Sequence, residues 1–252
     1  MRLKDKVAIV TGAAQGIGAA YARALAAEGA MVCVCDIADP KPLAHELTSA
    51  GHRAIGSVAD ILDPAAFGAT VDATVKAFGG VHILVNNAAI FGQLKFKPFF
   101  EIVADEWDKL MAVNVRGTVE CVKAVLPQMR AQKYGKIINI SSGTFYRGSP
   151  LLTHYVASKG AVIAVTRCVA HELGELGICV NCIAPGFTMS EAVQTNPVYQ
   201  NPAITTMTVG ARAIKREETP EDLVGTLIYL ASPDSDFVTG QTIVVDGGST
   251  ML

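Results

Sequence analysis

The sequence predicts an α/β protein, a single-domain Rossmann-like doubly wound parallel sheet of about seven strands with helices on both faces. Three observations predict it. Short apolar runs alternate with longer helix-periodic runs from end to end, the pattern of successive strand–helix units. The strand-like runs are apolar throughout, as in a sheet covered on both sides. The chain has 252 residues and 23 glycines, enough for one large domain with many tight turns and too few for two full domains.

The elements follow in order. Residues 7–10 form a β-branched run, and 16–28 an alanine-rich helix. A second strand over 31–36 closes on an acid, followed by a helix over 40–50 and a third strand over 53–58. The pattern predicts a helix over 64–78 and a strand over 81–85. A long helix is expected over 104–132, with Pro127 near its end, then a strand over 136–140. A second long helix over 153–176 leads to a strand over 178–183. A helix over 220–231 and a strand over 242–245 complete the chain. Right-handed crossovers turn this order into a doubly wound sheet. One segment breaks the rhythm: 187–215 shows no clear strand and only weak helical periodicity, with Pro197 and Pro202 inside it. So long an irregular stretch in a compact domain predicts a substrate lid. No linker divides the chain, so residues 1–252 are expected to form one catalytic domain.

Composition excludes several classes. Half the residues are hydrophobic and 17% charged, which fits a globular protein. The net charge of −2 gives no basic footprint for nucleic acid. No run approaches the ~18 apolar residues of a membrane span, and "MRLKDKVAIV" breaks into a glycine turn before it could serve as a signal peptide. Six cysteines occur. The pair in "CVNC" at 179–182 lies in a strand, where residues three apart face opposite sides. They read as buried hydrophobes in a reducing compartment. A cytoplasmic protein that binds no metal, membrane or nucleic acid is expected.

Chemistry concentrates at two places. "VAIVTGAAQGIGAAYARAL" runs from a strand through Gly12, Gly16 and Gly18 into a helix. Such a turn lets the backbone approach a pyrophosphate, and the helix N-terminus offers unpaired N–H groups to it. Eighteen residues past Gly18, Asp36 ends the second strand. There a carboxylate can accept hydrogen bonds from ribose hydroxyls and repel a 2′-phosphate, favouring NAD over NADP. No basic residue stands at Ala13, Ala14, Gln15 or Ile37 to offset it. Asp60 follows the third strand and could pair with an adenine amino group; Asn86 and Asn87 follow the fourth and could fix the cofactor ribose and the sheet edge.

The second place is "THYVASKGAVIAV" at 153–165, where Tyr155 and Lys159 stand four residues apart in an apolar run. On a helix they share a face. A nearby cation favours the phenolate and would lower the tyrosine pKa from about 10, making a group that exchanges protons with an alcohol or ketone. Ser142 ends the strand of "KIINISS" thirteen residues earlier, placed to polarise a carbonyl oxygen. Asn114 lies inside the long helix, an unfavourable site for asparagine, so it either relieves a distortion or serves a polar site.

With "TGAAQGIG" at 11–18, "NNAA" at 86–89, Asn114, Ser142, "YVASK" at 155–159, "APG" at 184–186 and "VDGG" at 245–248, the chain resembles the short-chain dehydrogenase/reductase family over essentially its whole length. The resemblance implies a catalytic tetrad of Asn114, Ser142, Tyr155 and Lys159. Tyr155 would be the acid/base and Ser142 the oxygen-orienting donor. Lys159 would hold the nicotinamide ribose and depress the tyrosine pKa, and Asn114 would hold a relay water. It implies cofactor contacts at Gly12, Gln15, Gly16, Ile17, Gly18, Asp36, Asp60, Ile61, Asn87, Ala88, Tyr155, Lys159, Pro185, Gly186, Thr188 and Ser190. The hydride would pass directly between substrate and nicotinamide. Two positions depart from the family pattern: Ala89 stands where glycine is usual, and Ser190 where threonine is usual. The resemblance also implies a homotetramer, which suits the helix over 153–170, apolar or small nearly all round.

The expected substrate wall comprises Ser142, Thr144, Phe145, Leu152, Tyr155 and Phe187 with parts of 188–210. It is apolar and aromatic, with no cationic clamp unless Arg147 or Arg212 turns inward. It predicts a neutral, hydrophobic, aromatic or cyclic secondary alcohol or ketone. A 3-oxoacyl-carrier-protein reductase is the alternative within the same class, but it would need NADPH, against which Asp36 argues. A non-enzymatic dinucleotide sensor would show a degraded tetrad. A sugar-nucleotide epimerase would need a larger C-terminal domain.

Overall fold

The computed structural model describes all residues 1–252. Its strands are β1 (Val7–Thr11), β2 (Met31–Asp36), β3 (Ala54–Val58), β4 (Ile83–Asn86), β5 (Gly135–Ile140), β6 (Ile178–Pro185) and β7 (Thr242–Val245). They pair in the order β3-β2-β1-β4-β5-β6-β7, every pairing parallel. The helices are α1 (Gly16–Ala27), α2 (Lys41–Ser49), α3 (Pro64–Phe78), α4 (Ala104–Met111), α5 (Thr118–Gln132), α6 (Thr144–Arg147), α7 (Thr153–Leu173), α8 (Glu191–Gln194), α9 (Pro202–Ala211) and α10 (Glu221–Ala231).

Because successive strand residues face opposite sides, the sheet feeds two cores. Ala8, Val10, Val32, Val34, Ile83, Val85, Ile138 and Ile140 meet α1, α2 and α10. Ile9, Cys33, Cys35, Leu84, Ile137 and Val180 meet α3, α5 and α7. Local chemistry sets the helix ends. Asp63 caps α3 by accepting from the amides of Ala65 and Ala66 at 2.9 and 3.1 Å, as N-cap carboxylates do. Inside the sheet, Asn86 donates to Asn139 Oδ1 and Asn139 donates to Thr166 Oγ1, both at 2.9 Å. This buried chain ties β4, β5 and α7 together. Asn86 is therefore a structural residue, and only Asn87 remains for the cofactor end.

The strand order reverses between β1 and β4, where the chain leaves the first half of the sheet for the second. In open α/β sheets the crevice at the carboxyl ends beside such a point binds ligands. Thr11, Asp36, Asn87, Ser141 and Gly186 all stand at or just beyond those ends.

Two expectations are corrected. The stretch 104–132 is not one regular helix: α4 and α5 are separated by a wider π-helical turn over Ala112–Gly117, a feature that often marks functional sites. Pro127 lies within α5. The segment 187–215 is not irregular throughout, since it contains α8 and α9, and Asn201 caps α9 by accepting from Ala203 N at 3.0 Å. The other elements lie where the periodicity puts them, with ends shifted by one or two residues, except that α7 ends three residues early and passes into a 3-10 turn over Gly174–Leu176. No helix is long and apolar enough to cross a membrane.

Candidate active site

The nucleotide end is built by backbone strain and one asparagine. Gly12 and Gly16 have left-handed φ angles of 62° and 58°, which side chains disfavour. A Cβ on Gly12 would also stand 2.7 Å from Ala88 Cα, and one on Gly18 would meet Asn87 Nδ2 at 2.6 Å. The Asn87 amide donates to the carbonyls of Thr11 and Gly12 at 3.0 and 2.9 Å. Thr11 Oγ1 accepts from the amides of Asn87 and Ala88, both at 3.1 Å. The turn is thereby locked to the loop after β4. Gln15 precedes α1 without capping it by its side chain, so the first helix amides stay available to an anion. Ile17 packs at the edge of the core below, and Ser190 Cβ lies 3.4 Å from where a Cβ on Gly16 would be, bounding the cleft from the β6 side. The donor set and the bare glycine turn fit a dinucleotide pyrophosphate.

Asp36 accepts from Ala14 N at 2.9 Å and from Ala38 N at 3.0 Å. It thus holds the glycine turn, and a carboxylate has about four acceptor sites, so about two remain for ribose hydroxyls. Asp60 caps its own turn, accepting from Leu62 N at 2.8 Å. The Ile61 side chain is buried and lies 2.6 Å from where a Cβ on Gly117 would be, so it props the π-helical turn and leaves only its main chain for a cofactor.

At the other end, Ser142, Tyr155 and Lys159 are all buried and converge beyond the end of β5. Ser142 Oγ accepts from Thr144 Oγ1 at 3.0 Å and Thr144 N at 3.3 Å, which leaves its own hydrogen free to donate. Lys159 Nζ lies 5.8 Å from the Tyr155 ring centroid and donates to the Ile140 carbonyl at 2.8 Å. Asn114 stands in the π-helical turn, accepting from Ile90 N at 2.8 Å and donating to Ser158 Oγ at 3.1 Å. Ser158 in turn donates to the Tyr155 carbonyl at 2.7 Å. Asn114 therefore stands where the helix is distorted and is joined through Ser158 to the main chain of Tyr155. Its amide is taken up by protein groups, so a relay water would find only the second lone pair of Oδ1.

Burial dominates the electrostatics here. Burial pushes the Tyr155 phenol above its ordinary value, hydrogen bonding with Ser142 opposes this, and Tyr199 adds to the rise. Burial lowers Lys159 to about 8.

The substrate wall also differs. Leu152 packs with Leu110 and Tyr155, and Phe187 lies 5.6 Å from Tyr199. Phe145 does not join it: its ring lies against Gly160 and Tyr146, and it is 42% exposed. The aromatic surface beside Tyr155 comes instead from Phe91, at 4.9 Å between ring centroids, and from Tyr199 stacked on Phe91 at 5.6 Å. Both sit in irregular segments where no periodicity marks them, although Phe91 follows closely on the asparagines after β4. Arg147 is exposed. Arg212 does turn inward, but its guanidinium serves the carbonyls of Phe187 and Arg216 at 2.8 and 2.7 Å.

Known proteins share this fold. The family model described as Enoyl-(Acyl carrier protein) reductase matches residues 12–250. Galactitol 2-dehydrogenase of Agrobacterium fabrum is 40% identical, with 100% of both chains covered. The 3-alpha-(or 20-beta)-hydroxysteroid dehydrogenase of Mycobacterium bovis is 38% identical over 98% of this chain and 90% of its own. A solved structure from Beutenbergia cavernae, carrying bound NADP at low occupancy, superposes with a TM-score of 0.90 at 31% identity, covering 98% of this chain and 97% of the other. With a glycine turn, an Asp-ended second strand and a serine, tyrosine and lysine gathered beyond β5, the chain belongs to the short-chain dehydrogenase/reductase family.

Proposed function

We propose that this protein is an NAD-dependent oxidoreductase acting on a hydrophobic, cyclic or aromatic secondary alcohol or ketone, with Tyr155 as its acid/base. The observation that carries the reading is the buried phenol of Tyr155, close enough to Ser142 to feel its hydroxyl and flanked by Phe91. A substrate oxygen seated between the two hydroxyls would be oriented by the free Ser142 hydrogen and would exchange its proton with Tyr155. A bound nicotinamide dinucleotide would supply the hydride chemistry and, when oxidised, a positive charge that favours the phenolate.

Gly12, Gly16 and Gly18 admit its pyrophosphate, Asp36 its adenosine ribose, and Pro185, Gly186, Thr188 and Ser190 bound the nicotinamide end. Lys159 serves as ribose ligand and as the cation behind the phenol. NAD is favoured over NADP because Asp36 presents its remaining acceptor sites where a 2′-phosphate would need donors. Segment 187–215 acts as a lid. Asn196 donates to the Gly92 carbonyl at 2.7 Å and Tyr199 reaches the Leu94 carbonyl at 3.5 Å, so the segment spans the cleft. The apolar substrate class rests on Phe91, Leu110, Leu152, Phe187 and Tyr199, and the steroid-acting relative is consistent with it. The protein acts as a homotetramer in the cytoplasm.

The test is a panel of steroid, aromatic, cyclic and polyol alcohols with the matching ketones, followed by absorbance with each coenzyme. The reading predicts turnover of apolar cyclic alcohols with NAD. Turnover confined to polyols would overturn the substrate class, and a preference for NADP would overturn the role of Asp36.

A further inference from the structure

Beneath the loop that follows β6 lies a cluster of buried charge that neither hydride nor proton transfer uses. Arg212, Glu218 and Asp246 are 3%, 5% and 3% exposed. Arg212 Nη2 lies 3.5 Å from Glu218 Oε2 and donates to the Phe187 carbonyl at 2.8 Å. Thr188 Oγ1 donates to Glu218 Oε1 at 2.8 Å, and the Glu218 carbonyl accepts from Met189 N at 2.8 Å. Both ends of the lid are thus stitched to one carboxylate, directly under Gly186, where a Cβ would stand 2.5 Å from Glu218 Oε2 and 2.8 Å from Asp246 Cβ.

The charges do not balance. Two buried carboxylates face one buried guanidinium, and Glu218 Oε2, Asp246 Oδ2 and the hydroxyl of Tyr21 are all buried without a hydrogen-bond partner. A proton on Glu218 would relieve the excess charge and supply a missing donor. We infer that Glu218 is a positioning residue whose ionisation tightens the Gly186–Phe187–Thr188 loop and so raises affinity for the dinucleotide. This rests on the nicotinamide-dependent reading of the site. The ionised carboxylate is the stronger acceptor for the Thr188 hydroxyl and the stronger partner for Arg212; the neutral acid loosens both.

The groups facing Glu218 are Arg212 and Arg216 from its own segment, Asp246 from the turn after β7, and Tyr21 from α1. Burial raises the Glu218 carboxyl to about 7, opposed by Thr188 and Arg212 and reinforced by Asp246. The change therefore falls near neutrality.

Calorimetric titration with NAD from about pH 6 to 8 tests this. The difference between a charge-assisted and a neutral hydrogen bond implies a dissociation constant about fivefold lower at the upper end. Glu218→Gln should bind with a flat profile over that window. Should that variant fail to fold, Thr188→Val removes the hydroxyl that reads the carboxylate and should flatten the profile likewise, while Thr188→Ser should restore it. A pH-independent wild type, or a variant that keeps the wild-type profile, would overturn the inference and leave the enzymatic reading intact. A wild type that binds neither NAD nor NADP at any pH would overturn the enzymatic reading and, with it, this one.

Discussion

Replacing Lys159 with methionine should stabilise the protein while abolishing its activity. The ammonium is 4% exposed and meets one acceptor, the Ile140 carbonyl at 2.8 Å. Burial brings the amine from 10.5 to about 8, which corresponds to a penalty of about 3 kcal/mol on its charged form at neutral pH. Methionine fills a similar volume without charge. Losing the hydrogen bond to Ile140 costs about 1 kcal/mol, so a net gain of about 2 kcal/mol remains. In a domain of this size that raises Tm by about 4–8 °C.

The sign of the pH dependence is fixed. Between about 8 and 10.5 the unfolded chain holds a proton on Lys159 that the folded chain has lost, so wild-type stability rises with pH there. The advantage of the variant should be complete below about pH 8 and close as pH approaches 10.5. Urea unfolding of both proteins, followed by circular dichroism at several pH values, measures the gap. A methionine variant less stable than wild type at pH 7, or a gap that persists unchanged to high pH, would refute the reasoning.

Asp36→Ala should raise NADP use relative to NAD by about 10- to 100-fold, since like charges held together cost several kcal/mol, and loosen the glycine turn that Ala14 anchors. Steady-state kinetics with both coenzymes checks this, and unchanged discrimination would show that another residue sets the choice. Asn86→Ala should cost about 1–3 kcal/mol by leaving the buried Asn139 Oδ1 unpaired, read as a lower urea midpoint. Tyr199→Ala should raise KM for apolar cyclic substrates by about tenfold through loss of the ring stacked on Phe91, with little change in coenzyme affinity.

The sequence displayed its sheet because β1, β2, β4, β5 and β6 are mostly apolar and buried on both faces and each is closed by a turn residue. It displayed the glycine turn because a pyrophosphate needs bare backbone at fixed spacing. Asn114 was conspicuous as a poor helix former, yet the widened turn around it was not legible, since π-helical hydrogen bonding leaves no composition of its own. Phe145 misled because nearness to Ser142 in sequence suggested nearness in space. Its ring turns instead to Gly160, and the wall is furnished by Phe91 and Tyr199 from distant loops. The burial of Tyr155 and Lys159 was hidden for a different reason. Spacing of four residues shows a shared helix face, but it does not reveal that both groups are buried.

The central claim is that the Tyr155 hydroxyl carries the proton while other groups hold the dinucleotide. Tyr155→Phe removes that oxygen alone. Single-turnover oxidation of the best alcohol found should fall by about 10²–10⁴-fold, with the coenzyme dissociation constant within about twofold of wild type. A phenylalanine variant that turns over at the wild-type rate would contradict the account.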